Sequence, residues 1–499
     1  MKVVDSKKLD RAMLNTADAI REKTGGAYEI PWDINQGFSD AIRRIPESTA
    51  SLGTISSRLV LDLTFLTRWH KFNYYSTIET AFIDIENEAT GTNVTEDTDN
   101  AEVAVYISGG ETYIVLLKDC TIESKITITK NVCITMEGHT LVSTDTKVFE
   151  IQAEKVVIDG RVEGSKIEII GDESKTEVIA VDIISGVCLI NGLTINGTNF
   201  TNGADANSVP SGIIVVGSGA KLDIQNAKLY SNNPTTGAIT TILINEGAIL
   251  NCYNCIIESK CKLGFAFGIY GSGRVELSNC SIRGMSDHTG NKAGNNYGRT
   301  SRAIYFTAGS IRLISCYAYG THSGMVIKGD IIAEDCLFES YSHGGMYVSA
   351  PNSNVFLKDS IMQQCVMLEG YEADNIAGTN NAGIYIGGAS NVNLYVDNCK
   401  FYGKQQPIVL RGSSGESNNH LYISNSCINL DYLNYGIRND GSNQTHFGIG
   451  NNFDNTNMRY NRNWEYTGLN YREVMKFDTE TWEFELTDGS RVTKEVVIK

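Results

Sequence analysis

The sequence predicts an all-β fold, a parallel β-helix solenoid with a small helical hairpin at its start and a β-hairpin module at its end. Three observations predict it. The phrase apolar, any, apolar, any, Asn or Asp, small, any, apolar recurs ten times, most clearly as Leu250–Ile257, Val275–Ile282, Ile331–Phe338 and Leu394–Phe401. A second strand-like phrase precedes it, often opened by Gly, as in Gly212–Val215, Ala303–Phe306, Gly324–Ile327, Gly345–Val348 and Gly383–Ile386. Gly numbers 48 against 6 Pro, which suits a chain whose backbone must donate to ladders that Pro would interrupt.

The turn letter of the first phrase falls at Asp159, Asn191, Asn226, Asn254, Asn279, Ser315, Asp335, Asp359, Asn398 and Asn425. Its spacing averages roughly 30 residues, a period that marks a solenoid in which each coil buries its apolar face only against its neighbours. Period-2 apolar alternation makes each coil strand-like. About 11 coils over residues 149–455, at about 4.8 Å per rung, would give a rod about 50 Å long. Cys255, Cys280, Cys316, Cys336 and Cys399 follow the turn letter where other copies carry Gly160, Gly192, Ala227, Ser360 and Ser426. That pattern reads as one inward row of small side chains, with the thiols reduced and stacked.

Residues 1–48 differ in kind. Leu9, Met13, Ala17 and Ile20 share one helical face, Gly25-Gly26 stops that helix, and Pro31-Trp32 opens a second that Pro46 ends. Residues 49–148 read as a linker and a cap, with an amphipathic segment at Thr77–Ile85 that would cover the exposed first coil. In residues 456–499, Trp482-x-Phe484-x-Leu486 and Val492-x-Lys494-x-Val496 alternate around Asp488-Gly489, a hairpin signal. Its two apolar sets share a face only if the connection is odd in length.

A net charge of −16 argues against a phosphate-binding surface, so nucleic acid is not an expected partner. The first dozen residues hold no apolar signal core and no run is long enough to span a bilayer, so a soluble chain made in a cytoplasm is expected, with no membrane insertion. Nine acids between Glu79 and Glu111, with no Lys or Arg from Phe72 to Leu117, read as a solvated acidic edge. Asp97-Thr-Asp99-Asn lacks the Gly and late Glu of a calcium loop. No metal site and no cofactor are indicated.

The coil phrase, the acidic cap and the strand order together resemble the right-handed parallel β-helix of the pectin-lyase-like superfamily, over roughly residues 76–455. Leu14–Gly26 followed by Gly37–Ile42 resembles a short module at the start of tail proteins of phages infecting Gram-positive hosts. Trp482–Lys494 is similar to the ends of the same proteins. These flanks imply a phage tailspike or tail fibre. Such a protein would attach to virion tail or baseplate proteins through residues 1–48, meet a host surface glycan with its β-helix, and form a homotrimer on the virion tail.

In that pattern the groove lies on the Gly-opened strands, whose outward row is read as Asp182, Ile214, Leu243, Gly268, Tyr305, Val326, Tyr347, Tyr385, Val409 and Arg438. Tyr305, Tyr347 and Tyr385 would offer ring faces to sugars, with His322 and His343 in the preceding loops. The same tyrosines could instead pack against a neighbouring subunit. No acid stands in the row from Ile214 to Val409, which argues against a glycosidase needing two carboxylates about one bond. A depolymerase, hydrolase or lyase, would have to recruit Glu339, Glu369, Glu372 or Asp374 from loops, with His343 as acid/base. Ser342-His343-Gly344 resembles the His-Gly element of polygalacturonase-like enzymes without their paired Asp. Asp335 and Asp359 read as ladder residues. A purely structural spike is the third reading.

Overall fold

The computed structural model describes residues 71–88, 92–172, 177–200, 210–235, 237–262, 264–286, 301–321, 323–340, 344–364, 382–403, 406–411, 417–430, 437–440, 443–447, 451, 481–485 and 491–495. Residues 1–48, where the helical hairpin is expected, lie outside them. Within the solenoid strands pair in parallel with the strand three places on, or two places on where one long strand spans two faces. Ser323–Ile327, Asp330–Glu334 and Leu337–Ser340 form one coil, laid on Gly344–Val348, Asn354–Lys358 and Ile361–Gln364 of the next. The three positions make three faces, called first, second and third below. The third is a separate 12-stranded sheet, while the first and second merge into one of 25 strands. They merge because two long strands, Phe265–Ser278 and Arg302–Ile314, run unbroken around the corner between them. Glycine makes that corner possible: Gly309 has φ +105°, and a Cβ on it would lie 2.0 Å from the Gly273 carbonyl oxygen.

The repeated phrase is a turn between second and third faces. Asn226, Asn254, Asn279, Ser315, Asp335, Asp359, Asn398 and Asn425 all adopt left-handed backbone, with φ between +48° and +54°. Asn and Asp tolerate that region better than other non-Gly residues, which is why the phrase selects them. Stacked copies also bond to one another. Asn254 Nδ2 donates to Asn226 Oδ1 at 2.8 Å, Ser315 Oγ to Asp335 Oδ2 at 2.8 Å, and Asn398 Nδ2 to Asp359 Oδ1 at 2.5 Å. Asp335 and Asp359 are therefore ladder residues. The first two copies are shifted by one from the reading above. Asp159 and Asn191 end their strands and align with Gln225, and the turn position belongs to Gly160 and Gly192. Gly192, at φ +68°, needs no Asn, so the polar letter one place earlier misplaced the motif.

The next residue points inward and has a chemical task. The thiols of Cys255, Cys280, Cys316, Cys336 and Cys399 each donate to the carbonyl two residues back, all at 3.2 Å. Ser360 and Ser426 do the same with their hydroxyls at 2.7 Å. Cys and Ser interchange here because each is a small side chain ending in one donor. The described cysteines are all free. Burial pushes the thiols of Cys188 and Cys399 well above the usual range, which keeps them un-ionised and unreactive.

The core is a stack of inward columns, such as Ile269, Ile304, Met325, Met346, Ile384 and Ile408, all fully buried. Each such side chain contributes about 1.5–3 kcal/mol through burial. Helix Ile78–Glu86 lies against the first strands with Ile78, Ala81, Phe82 and Ile85 buried, Phe82 6.4 Å from Phe149. Its acids satisfy backbone donors of the early coils: Glu79 Oε1 accepts from the Glu123 N–H and Glu86 Oε1 from the Thr129 N–H, at 2.9 and 2.8 Å. That relieves the exposed edge a solenoid would otherwise present. Late in the chain, as a separate two-stranded sheet, Thr481–Glu485 pairs antiparallel with Arg491–Glu495. Trp482 stands opposite Lys494 and Phe484 opposite Val492, across a connection of odd length, residues 486–490.

Stability tests of the inward row follow. Cys336→Ser should stay within about 1 kcal/mol of wild type, since the hydroxyl keeps the donor. Cys336→Val should lose about 1–3 kcal/mol, because a branched, donor-free side chain overfills a site stacked at every rung. Urea midpoints of the two variants check this, and equal losses would remove the hydrogen-bonding role.

Candidate functional site

Register along the first face places one outward row: Glu150, Asp182, Val215, Leu243, Tyr270, Tyr305, Val326, Tyr347, Tyr385 and Val409, with Arg438 at the next register position. Two members differ from the sequence reading. Val215 and Tyr270 replace Ile214 and Gly268, which are buried beneath the surface. Gly212 stands two places before the inward column, whereas Gly345 stands one before it, and counting from Gly therefore slipped at Ile214.

The row changes character along its length. At Glu150 and Asp182 it is ionic and self-neutralised: Lys125 Nζ lies 2.8 Å from Glu150 Oε2, and Lys147 Nζ 2.5 Å from Asp182 Oδ2. From Val215 to Val409 it carries no acid. That middle is aromatic. The Tyr270 and Tyr305 rings stack with centroids 5.2 Å apart and planes 22° apart, and Phe267 packs against both at 5.2 and 5.6 Å. One rung further, Val326 leaves a gap, after which Tyr347 and Tyr385 stack at 5.1 Å and 19°. These rings form small apolar clusters outside the main core. Gly387 makes room for the second pair, since a Cβ there would lie 2.1 Å from the Tyr385 ring. Burial raises the phenols of Tyr270 and Tyr347, which keeps them protonated donors. Tyr347 spends its proton on the Gly387 carbonyl at 3.4 Å.

Tyr270, Tyr305 and Tyr347 are half-buried and present partial ring faces, but Tyr385 is 6% exposed and acts mainly as the support of Tyr347. Arg302 is the residue that sequence reasoning missed here. Its guanidinium carbon lies 4.6 Å over the Tyr305 ring, a cation–π contact inside the row. Only its place just before the strand phrase Ala303–Phe306 could have suggested it.

The other candidates separate from this row. Glu339 lies on the third face, where its Oε2 accepts from Tyr317 Oη at 2.5 Å. His322, His343, Glu369, Glu372 and Asp374 lie outside the described residues. Among the described residues no group of three or more His, Cys, Asp or Glu side chains is placed to hold a metal ion. None of their helices is long and apolar enough to cross a membrane.

Two further features were not anticipated. On the second face Phe356, Tyr395, Tyr422 and His446 stack in sequence at 4.7, 4.9 and 4.4 Å, with planes within 8°. Phe356, Tyr395 and Tyr422 each stand three places before the turn letter, at a position the phrase leaves open, so the signal was present but unweighted. Burial first, then His420, pulls His446 down to about 4, so it stays neutral. The second is a carboxyl pair at the turn between second and third faces. Glu137 has φ +52°, a buried Oε1 with no hydrogen-bond partner, and Asp159 nearby, itself bound by Arg161 Nη2 at 2.6 Å. Burial, reinforced by Asp159, pushes Glu137 up to about 7.

Open depressions of about 650 and 530 Å³ lie on the third and second faces. Most charged groups lining them are already paired, Lys166 with Glu168, Asp223 with Lys221 and Glu276 with Arg274, while Arg312 on the second face has a buried Nε without a partner and, among the described residues, no ring beneath it. The first-face row, with stacked rings and an unneutralised cation, is the stronger candidate. No protein-family model matches the chain, and no curated protein matches it.

A pH test of the carboxyl pair follows. Folded Glu137 holds its proton to about pH 7, whereas an unfolded Glu releases it near 4.5. Stability therefore falls as pH rises from about 4.5 through 7, because the folded state binds more protons across that window. Glu137→Gln should flatten that slope and exceed wild-type stability at pH 8, read from urea midpoints between pH 4.5 and 8. An unchanged slope would place the titration elsewhere.

Proposed function

We propose that the chain is a phage tail-appendage protein, of the tailspike or tail-fibre kind, whose first face binds a host surface polysaccharide. The single observation that carries the binding reading is the aromatic row from Tyr270 to Tyr385 on the outside of the sheet. Soluble folds seldom keep so many rings in one outward line without a ligand or partner, and sugars present apolar faces with polar rims that suit Tyr. The phage assignment is supported by the two flanking sequences, residues 1–48 attaching the chain to tail or baseplate proteins and residues 456–499 closing it. A homotrimer on the virion tail belongs to the same reading.

Binding is preferred to cleavage because the row holds no acid beside its rings, and Glu339 is committed to Tyr317 on another face. In gel filtration with envelope polysaccharide from Gram-positive cells, the full-length protein should co-elute with the glycan and leave its size unchanged over hours. Tyr347→Ala should weaken retention roughly fivefold, the scale of one lost ring contact. Shortened chains would make the protein a depolymerase; full retention by Tyr347→Ala would remove this face as the binding site.

A further inference from the structure

We infer that the first face takes its glycan by an anionic group, a sugar carboxylate or a phosphodiester, received by Arg302. This rests on the glycan-binding reading above and adds the charge of the ligand. Strand Arg302–Ile314 sets Arg302 beside Phe267 on one neighbour and Ser323 on the other. Its Nε is shielded from water and has no hydrogen-bond partner. It enters no ion pair among the described residues. Lys147 and Lys125, the cations further along the same face, each meet a carboxylate.

A guanidinium held over an aromatic ring with no counter-ion among the described residues is destabilising unless something completes it. Burial pulls Arg302 down to about 10, opposed only by the phenols of Tyr305, Tyr347 and Tyr270. Tyr305 supplies a ring face but no negative charge. The row offers no acid from Val215 to Val409, so its own side chains do not supply the missing anion. A planar guanidinium fork matches a carboxylate or phosphate through two parallel hydrogen bonds, and the flanking tyrosines would hold the sugar that bears it.

The test spots hyaluronan, poly(glycerol phosphate) and dextran on one array and probes it with full-length wild type, Arg302→Gln, Arg302→Lys and Tyr347→Ala. Wild type should retain an anionic polymer and not dextran. Hyaluronan would identify the carboxylate and poly(glycerol phosphate) the phosphodiester. Arg302→Gln should lose about tenfold in retention, Arg302→Lys less, and the melting temperature of Arg302→Gln should equal or exceed wild type, because an unpaired charge has gone. Dextran retained equally by wild type and Arg302→Gln but lost by Tyr347→Ala would overturn the anionic ligand and leave the tyrosine platform standing. Retention of none of the polymers would overturn both. An Arg302→Gln protein that fails to fold would make Arg302 a structural cation and overturn the assignment.

Discussion

The solenoid from Gly192 to Asn425 depends on a turn that forces one residue per coil into left-handed backbone. A parallel β-helix has no hairpins to fix its register, so each coil must bend at the same place or the inward columns fall out of line. The bend at Asn279, Asp335 or Asn398 sets that place. It brings the preceding carbonyl within reach of the following side chain, and a Cys thiol or Ser hydroxyl closes onto it. Backbone constraint, polar satisfaction and core volume are thus met by two adjacent residues. The ladder between turns adds a side-chain hydrogen bond at three rungs, Asn226–Asn254, Ser315–Asp335 and Asp359–Asn398.

Because the turn fixes register, outward rows are free to vary. Inward columns must be apolar at each rung, but an outward residue touches only its counterparts above and below. The first face uses that freedom to pass from ion pairs at Glu150 and Asp182 to rings at Tyr270 through Tyr385. The second face passes from Asp223, Asn251 and Glu276 to the stack that begins at Phe356. Rungs about 4.8 Å apart place consecutive rings near stacking distance without further design, so a run of aromatics becomes a column automatically.

The coil repeat, the turn residues and the thiol row were legible because each is a constraint repeated in every coil. Legibility failed where a single coil satisfied the constraint differently. Gly192 takes the left-handed position without an Asn, and Asn191 beside it drew the motif one place early. Gly212 sits one place earlier against its ladder than Gly345 does, and the outward row slipped to Ile214. Tyr305, Tyr347 and Tyr385 were found because their neighbours carry the same letter at the same offset. Arg302 was missed because its ladder neighbours Phe267 and Ser323 carry no cation, and its meaning lies in having no ion-pair partner among the described residues. Tyr385 shows the opposite limit: its row position was readable, but its burial was not.

That absence bears on how a chain of net charge −16 could hold an acid. Long-range repulsion between such a chain and a polyanion is screened within about 8 Å at physiological salt. A half-buried cation whose Nε is shielded and which lies over a ring is screened less than a fully exposed one. Short-range attraction at Arg302 can therefore outweigh a repulsive surface, whereas scattered lysines on the same surface could not. The shielded Nε and the acid-free middle of the row work in the same direction: a carboxylate beside Arg302 would stabilise the fold and cancel the charge it offers a ligand. Leaving the guanidinium without an ion pair among the described residues sacrifices some stability of the free protein, and the additive energetics of stacked coils confine that loss to a single rung.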